Sequence, residues 1–262
     1  MARVICIANR KGGVGKTTTA INLSAALAVG GAPTLLVDCD PQGNATSGIG
    51  VKTDPESLTL YDVLLDECSL QDVIHKTVIE QLDVLPADHD LIGAEVELLN
   101  IENREYRLKT LLRQINERYR YIVLDCPPSL GLLTVNALTA ADSVLIPLQC
   151  EYYALEGLRS LLETVELIRE RLNFDLAIEG LLLTMFDPRN KLCRQVADEV
   201  RQFFPRQVFN TVIPRNVRLS ESPSHGMPVI LYDPSCRGAQ SYIELAKEIT
   251  GSDKPTRENH NE

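Results

Sequence analysis

The chain has 262 residues, 44% hydrophobic and 24% charged, an ordinary globular composition that can bury one sizeable core, so a single domain is expected over residues 1–250. A net charge of −10 excludes a uniformly basic, nucleic-acid-coating protein and leaves room only for a local basic face. Seven scattered cysteines without C-x-x-C spacing read as reduced thiols, no apolar stretch approaches a membrane span, and no charged-then-apolar leader precedes the first strand, so a soluble cytosolic protein is expected.

In chain order, the apolar run Val4 to Ala8 predicts a buried strand. It leads into Lys11-Gly12-Gly13-Val14-Gly15-Lys16-Thr17-Thr18, a loop suited to phosphate. Glycines let successive N–H groups converge on phosphate oxygens, and a helix opening at Gly15 or Lys16 adds the positive end of its dipole. Lys16 is placed to reach the β and γ phosphates, and the Thr17 hydroxyl can ligate a Mg²⁺ ion that carries phosphate oxygens. The usual form of such a loop has a glycine where Arg10 stands, and Lys11 is an extra cation. Lys11 either only adds positive potential or reaches a nucleotide held by another subunit, as an arginine finger does in trans.

Helical periodicity over Thr19 to Ala28 and a second apolar run, Thr34 to Val37, complete a first βαβ unit. That strand ends in Asp38-Cys39-Asp40-Pro41-Gln42-Gly43-Asn44, two carboxylates ahead of loop-forming residues. Asp40 is the better candidate to orient an attacking water at the γ-phosphate. Asp38 either supports the Mg²⁺ shell or caps the helix that follows near Asn44. Further strands are expected at Leu82 to Leu85, Tyr121 to Leu124, Ser143 to Pro147, Ala177 to Thr184 and Val208 to Ile213. Helices are expected at His89 to Leu99, Tyr106 to Arg118, Leu130 to Ala140, Leu155 to Leu172, Leu192 to Phe203 and Ala239 to Thr250.

Strands apolar on both faces imply a three-layer α/β fold, a mainly parallel central sheet with helices on both faces, which binds ligands beyond the carboxyl ends of its strands. Asp125 follows Tyr121 to Leu124 and should hold Mg²⁺ through water, while Pro127 and Pro128 stiffen the loop after it. Pro214-Arg215-Asn216 follows the last expected strand, where a base-recognising loop would lie, and Asn216 offers a donor and an acceptor to an adenine edge. From Pro188 to Leu219 seven lysines and arginines face only Asp198 and Glu199, which makes a basic face on an acidic body. The segment from Gly251 to Glu262 is polar and reads as a disordered tail.

With KGGVGKTT, DCDPQGNATSG and DCPPSLGLLTVNALTAAD in view, the chain resembles the ParA/Soj ATPases that partition chromosomes and plasmids. The resemblance runs from about Arg3 to about Thr250, through QCEYYALEGL and VIPRNVRLSESPSHGMPVILYD. It implies the P-loop NTPase fold of the deviant Walker A class, with ATP and Mg²⁺ as cofactors. In that family the lysine matched by Lys11 crosses the interface of an ATP-sandwich homodimer, and Gly12 matches the point where the subunits approach closely. Gly13, Val14, Gly15 and Thr18 then share the phosphate loop with the catalytic Lys16 and with Thr17. Asp40 matches the residue needed for hydrolysis, Asp125 the metal-holding aspartate, and Pro214 with Asn216 the adenine-side contacts.

The same resemblance implies non-specific binding of double-stranded DNA by the ATP-bound dimer, with Arg189 and Arg218 the leading residues, and stimulation of hydrolysis by a basic segment of a ParB-like centromere-binding protein. It implies a cytoplasmic, nucleoid-associated protein without membrane contact; a further role on promoters or with a replication initiator stays open. The alternative, a MinD-type membrane-cycling ATPase, calls for a terminal amphipathic helix rich in lysine and bulky apolar residues, which the segment after Thr250 lacks. An iron–sulfur ATPase would call for cluster-ligand contexts that Cys126 and Cys150 do not have.

Overall fold

Alternation along each strand divides the molecule into layers. In β1 (Arg3–Ile7), Val4 and Cys6 point to one side of the sheet while Ile5 and Ile7 point to the other, and each pair joins a separate apolar cluster. Both clusters are buried because helices cover both faces, and each fully buried Leu or Ile contributes about 1.5–3 kcal/mol. The computed structural model describes residues 1–151 and 154–252.

Among these, β1, β2 (Thr34–Asp38), β3 (His75–Lys76), β4 (Leu82–Leu85), β5 (Tyr121–Asp125), β6 (Ser143–Gln149) and β7 (Ala177–Thr184) form one sheet in the order β3-β4-β2-β5-β1-β6-β7. All neighbours run parallel except the short edge strand β3. The chain leaves β1 toward β2 on one side and leaves β5 toward β6 on the other. This reversal opens a crevice at the carboxyl ends of β1 and β5, where such sheets bind ligands.

The helices are α1 (Lys16–Val29), α2 (Asn44–Gly48), α3 (Leu60–Leu64), α4 (Leu70–Val73), α5 (Leu91–Glu97), α6 (Arg107–Arg113), α7 (Leu132–Ala140), α8 (Ala154–Arg171), α9 (Lys191–Phe203), α10 (Val217–Glu221), α11 (Val229–Tyr232) and α12 (Arg237–Ser252). Helix α1 packs against α12 and, with α11, covers one face; α3 and α5 to α9 cover the other. The fold expected from the sequence is the one observed. Helix α12 continues to Ser252, and residues 253–262, the rest of the expected polar tail, lie outside the described residues.

One expected strand does not form. Val208 to Ile213 runs beside β7 and bridges it at Val208, and Ile213 N–H donates to the Leu183 carbonyl at 2.8 Å. Between those points the N–H groups of Asn210 and Thr211 donate instead to the Glu248 carboxylate on α12, at 2.8 and 3.1 Å. Its apolar character serves packing: Phe209 fills the space that Gly180 leaves open, where a Cβ would come within 2.6 Å of the ring.

Candidate functional site

The phosphate loop joins β1 to α1 and is pinned from both sides. The Asn9 side chain donates to the Pro147 carbonyl on β6 at 2.7 Å and accepts the Lys11 N–H at 3.0 Å. The Thr184 hydroxyl at the end of β7 donates to the Val14 carbonyl at 2.8 Å. Gly13 and Gly15 take positive φ, 74° and 91°, which turns the backbone abruptly into α1. No side chain caps α1, so its first N–H groups remain free to bind an anion.

Two adjoining cavities flank this helix start and share Gly15, Thr18 and Met185. One, about 360 Å³, is lined by Gly12, Gly13, Lys16, Thr17, Asp40, Gln42, Asn44 and Pro128. The other, about 350 Å³, is lined by Thr184, Pro214, Arg215, Asn216, Leu219 and Tyr242. The two groups that sequence reasoning assigned to phosphate and to base thus lie on opposite sides of one helix start. Asn216 is also the N-cap of α10, its side-chain oxygen accepting the Arg218 N–H at 2.8 Å, which leaves its amide NH₂ as the group open to a ligand.

The two loop lysines have opposite fates. Lys16 is 7% exposed and its Nζ donates to the Lys11 carbonyl at 3.4 Å. Burial lowers its pKa, against the opposing pull of Asp125, Cys126 and Asp40. Lys11 points outward and pairs with Glu151, just before α8, while Arg10 beside it bonds the Ser160 hydroxyl on α8. A Cβ built on Gly12 would meet nothing within 4 Å, so no contact among the described residues requires glycine there.

The three aspartates also differ. Asp40 lines the phosphate-side cavity and accepts the Gln42 N–H at 3.0 Å. Asp38 is buried with both oxygens engaged: one accepts the Asp40 N–H at 3.2 Å, the other the Thr46 N–H and hydroxyl, both at 2.8 Å. Thr46 lies in the first turn of α2, so of the two roles read for Asp38 the geometry displays the helix cap, and the side chain does not line the cavity. Burial pushes its pKa up to about 6 against those bonds.

Asp125 is fully buried, and among the described residues neither carboxylate oxygen has a hydrogen-bond partner of good geometry. Burial first, then the Asp38 charge, push its pKa well above the usual range, with the nearby Thr17 hydroxyl and the Lys16 charge pulling it back. An orphaned carboxylate behind a phosphate loop fits Mg²⁺, which keeps waters and takes few protein ligands beside phosphate oxygens. Among the described residues no cluster of three or more His, Cys, Asp or Glu forms a cage for a metal, so Thr17 and Asp125 are the groups that would hold this one.

Arg189 and Arg218 are exposed, though not unpartnered. Arg189 forms a two-pronged pair with Asp187 at 3.0 and 2.9 Å, and Arg218 pairs with Glu221 at 2.8 Å and Asp233 at 3.3 Å. Cys126 and Cys150 are buried, Cys126 against Cys6 at 3.2 Å. Asn9, Thr184, Met185 and Glu151 were not singled out from the sequence. Thr184 ends a predicted strand on the ligand side of the sheet, the one positional signal that could have found it.

The family described as an AAA domain matches residues 2–178. The chain is similar to the chromosome partitioning protein ParA of Myxococcus xanthus, 58% identical over 255 residues that cover 97% of this chain and 90% of the relative. It is similar to the sporulation initiation inhibitor protein Soj of Bacillus subtilis, 58% identical over 252 residues, 96% of this chain and all of the relative. Among solved structures, cobyrinic acid a,c-diamide synthase from Mycobacterium smegmatis with bound ADP and magnesium aligns at a TM-score of 0.83 and 38% identity, covering 94% of this chain and 93% of that one.

Proposed function

The chain belongs to the ParA/Soj family of chromosome-partitioning ATPases, and from that premise we propose that it is an ATP-driven DNA-segregation switch: ATP joins two copies, the dimer binds DNA without sequence preference, and a ParB-like partner triggers hydrolysis and release. The observation that carries this reading is the contrast between two lysines on one loop, Lys16 turned inward and Lys11 turned outward beside a Gly12 that no internal contact explains.

The free N–H groups of α1 and the Lys16 ammonium hold the β and γ phosphates. Thr17, backed by Asp125, would hold a Mg²⁺ ion, which when bound would supply charge neutralisation on the phosphate oxygens. Asp40 orients the attacking water. Pro214 and Asn216 set the adenine side. Lys11 exchanges Glu151 for the partner's phosphates, and close approach at Gly12 makes that reach possible. Asp40 is the one carboxylate lining the phosphate-side cavity among the described residues, so unassisted hydrolysis is slow and a partner has something to add. The relatives named ParA and Soj support a chromosomal task, and the ADP and magnesium in the similar solved structure support the cofactors.

The test is sedimentation of the purified protein without nucleotide, with ADP, and with a slowly hydrolysed ATP analogue, each with and without plasmid DNA. Dimers and DNA retention appear with the ATP analogue alone. Monomers under every condition would sink the reading.

A further inference from the structure

The geometry points to the groove between α8 and α9 as the docking site of a short basic, amphipathic segment of the activating partner, relayed through α8 to the phosphate loop; this rests on the partitioning reading above. The groove, about 930 Å³, lies apart from both nucleotide-side cavities. Its floor is apolar, with Leu155, Leu158 and Leu162 on α8 facing Phe203 and Phe204. Two large apolar side chains on its lining are left open to water, Leu167 at 51% and Phe203 at 67% exposure. An apolar trough of this kind marks an interaction surface.

The rim decides what fills it. Glu163, Glu166 and Glu170 follow one another along α8 against one lining cation, Arg159; Glu163 pairs with Arg159 and Glu166 with Arg169, both in exposed pairs that an incoming cation can exchange. Glu170 has no ion pair among the described residues. DNA and anionic lipid would be repelled by this rim, and a second copy docked by a two-fold axis would set glutamate against glutamate. A segment with lysines or arginines along one face and bulky apolar residues along the other matches both floor and rim.

The N-terminal half of the same helix reaches the phosphate loop. Arg10 is tied to Ser160 on α8, and Lys11 is tied to Glu151, three residues before α8 begins. A partner seated in the groove therefore pushes on the element that holds the outward lysine and its neighbour.

The test uses the full chain, a full-length ParB-like protein, and a synthetic peptide of that protein's basic segment. Peptide binding is read by fluorescence anisotropy and ATP turnover with and without the ParB-like protein. Leu167→Ser with Phe203→Ser should weaken peptide binding by about tenfold or more, since central apolar anchors carry most of such an interface. Basal turnover and ATP-dependent dimerisation should stay at wild-type levels, which also shows that the variant folds. Glu170→Lys, which leaves the apolar floor intact, should weaken binding in low salt more than in high salt. Ser160→Ala should bind peptide as the wild type does yet be stimulated less. Wild-type binding and stimulation of the serine pair would overturn the groove assignment while leaving the partitioning reading intact, and full stimulation of Ser160→Ala would overturn the relay. If the ParB-like protein fails to stimulate the wild type itself, both readings fall together.

Discussion

Asp38 and Asp125 stand opposite each other in register at the ends of β2 and β5, both fully buried, yet among the described residues only the Asp38 oxygens have hydrogen-bond partners of good geometry. A buried, unsatisfied carboxylate destabilises the nucleotide-free fold, so Asp125→Asn, which removes the charge and keeps the shape, should stabilise it by on the order of 1–3 kcal/mol. Mg²⁺-dependent ATP turnover should fall at the same time. Thermal melts without nucleotide beside turnover assays check this. A lower melting temperature would mean that Asp125 has a stabilising partner in solution.

The same pair sets a pH dependence. Asp38 is raised to about 6 and Asp125 is raised as well, so the folded state keeps protons that the unfolded chain releases near pH 4. The unfolded state therefore binds fewer protons across this window, and nucleotide-free stability should fall as pH rises from about 4 to about 6. Half-buried Asp187 and Asp233 shift downward and act at lower pH, outside that window. Chemical denaturation at pH steps should show the decline in the wild type and a shallower one in Asp125→Asn. A rise across the window would refute the assignment.

The contrast between these aspartates also marks how far the sequence could be read. Strand alternation, the loop from Lys11 to Thr18 and the acidic strand ends are local patterns, and β1, β2 and β4 to β7 appear where such patterns place them. What escaped depends on distant partners. Val208 to Ile213 is apolar enough for a strand, but Glu248 on α12 captures its N–H groups. Helices α2, α3 and α4 span one turn or little more, too short for periodicity to register. Asn9 and Thr184 act through single hydrogen bonds to loop or strand backbone that no spacing rule announces. The sequence offered two roles for Asp38, and the hydroxyl of Thr46, eight residues on, favours the cap.

Arg189 is restrained by Asp187, and Arg218 by Glu221 and Asp233, so on the proposed reading DNA would compete with intramolecular carboxylates. Arg189→Ala with Arg218→Ala should weaken DNA binding and flatten its salt dependence by about 1 log unit per arginine lost, about 4 for a dimer. ATP-dependent dimerisation should survive. Asp187→Asn should act in the opposite direction, releasing Arg189 and tightening DNA binding by about two- to fivefold at low salt, the modest gain expected from an exposed pair. Filter retention across a salt series measures both. Unchanged affinity in Asp187→Asn together with a flat salt response in the wild type would remove this face from DNA contact.

Lys11 pairs with Glu151, so on the proposed reading this pair is the latch that dimerisation has to open. Both side chains are partly exposed, so the pair is worth no more than about 1 kcal/mol and cannot block association, only tax its rate and affinity. Glu151→Gln should therefore raise the ATP-dependent dimer affinity by up to about fivefold, the equivalent of about 1 kcal/mol, without creating dimers in the absence of nucleotide. Lys11→Ala should still bind ATP through Lys16 and the start of α1, yet remain monomeric, whereas Lys16→Ala should lose nucleotide affinity itself. Nucleotide binding followed by fluorescence and dimerisation followed by light scattering separate these steps. If Lys11→Ala dimerises with ATP as readily as the wild type, the outward lysine adds only local potential, and the bridge between protomers must be sought elsewhere on the molecule.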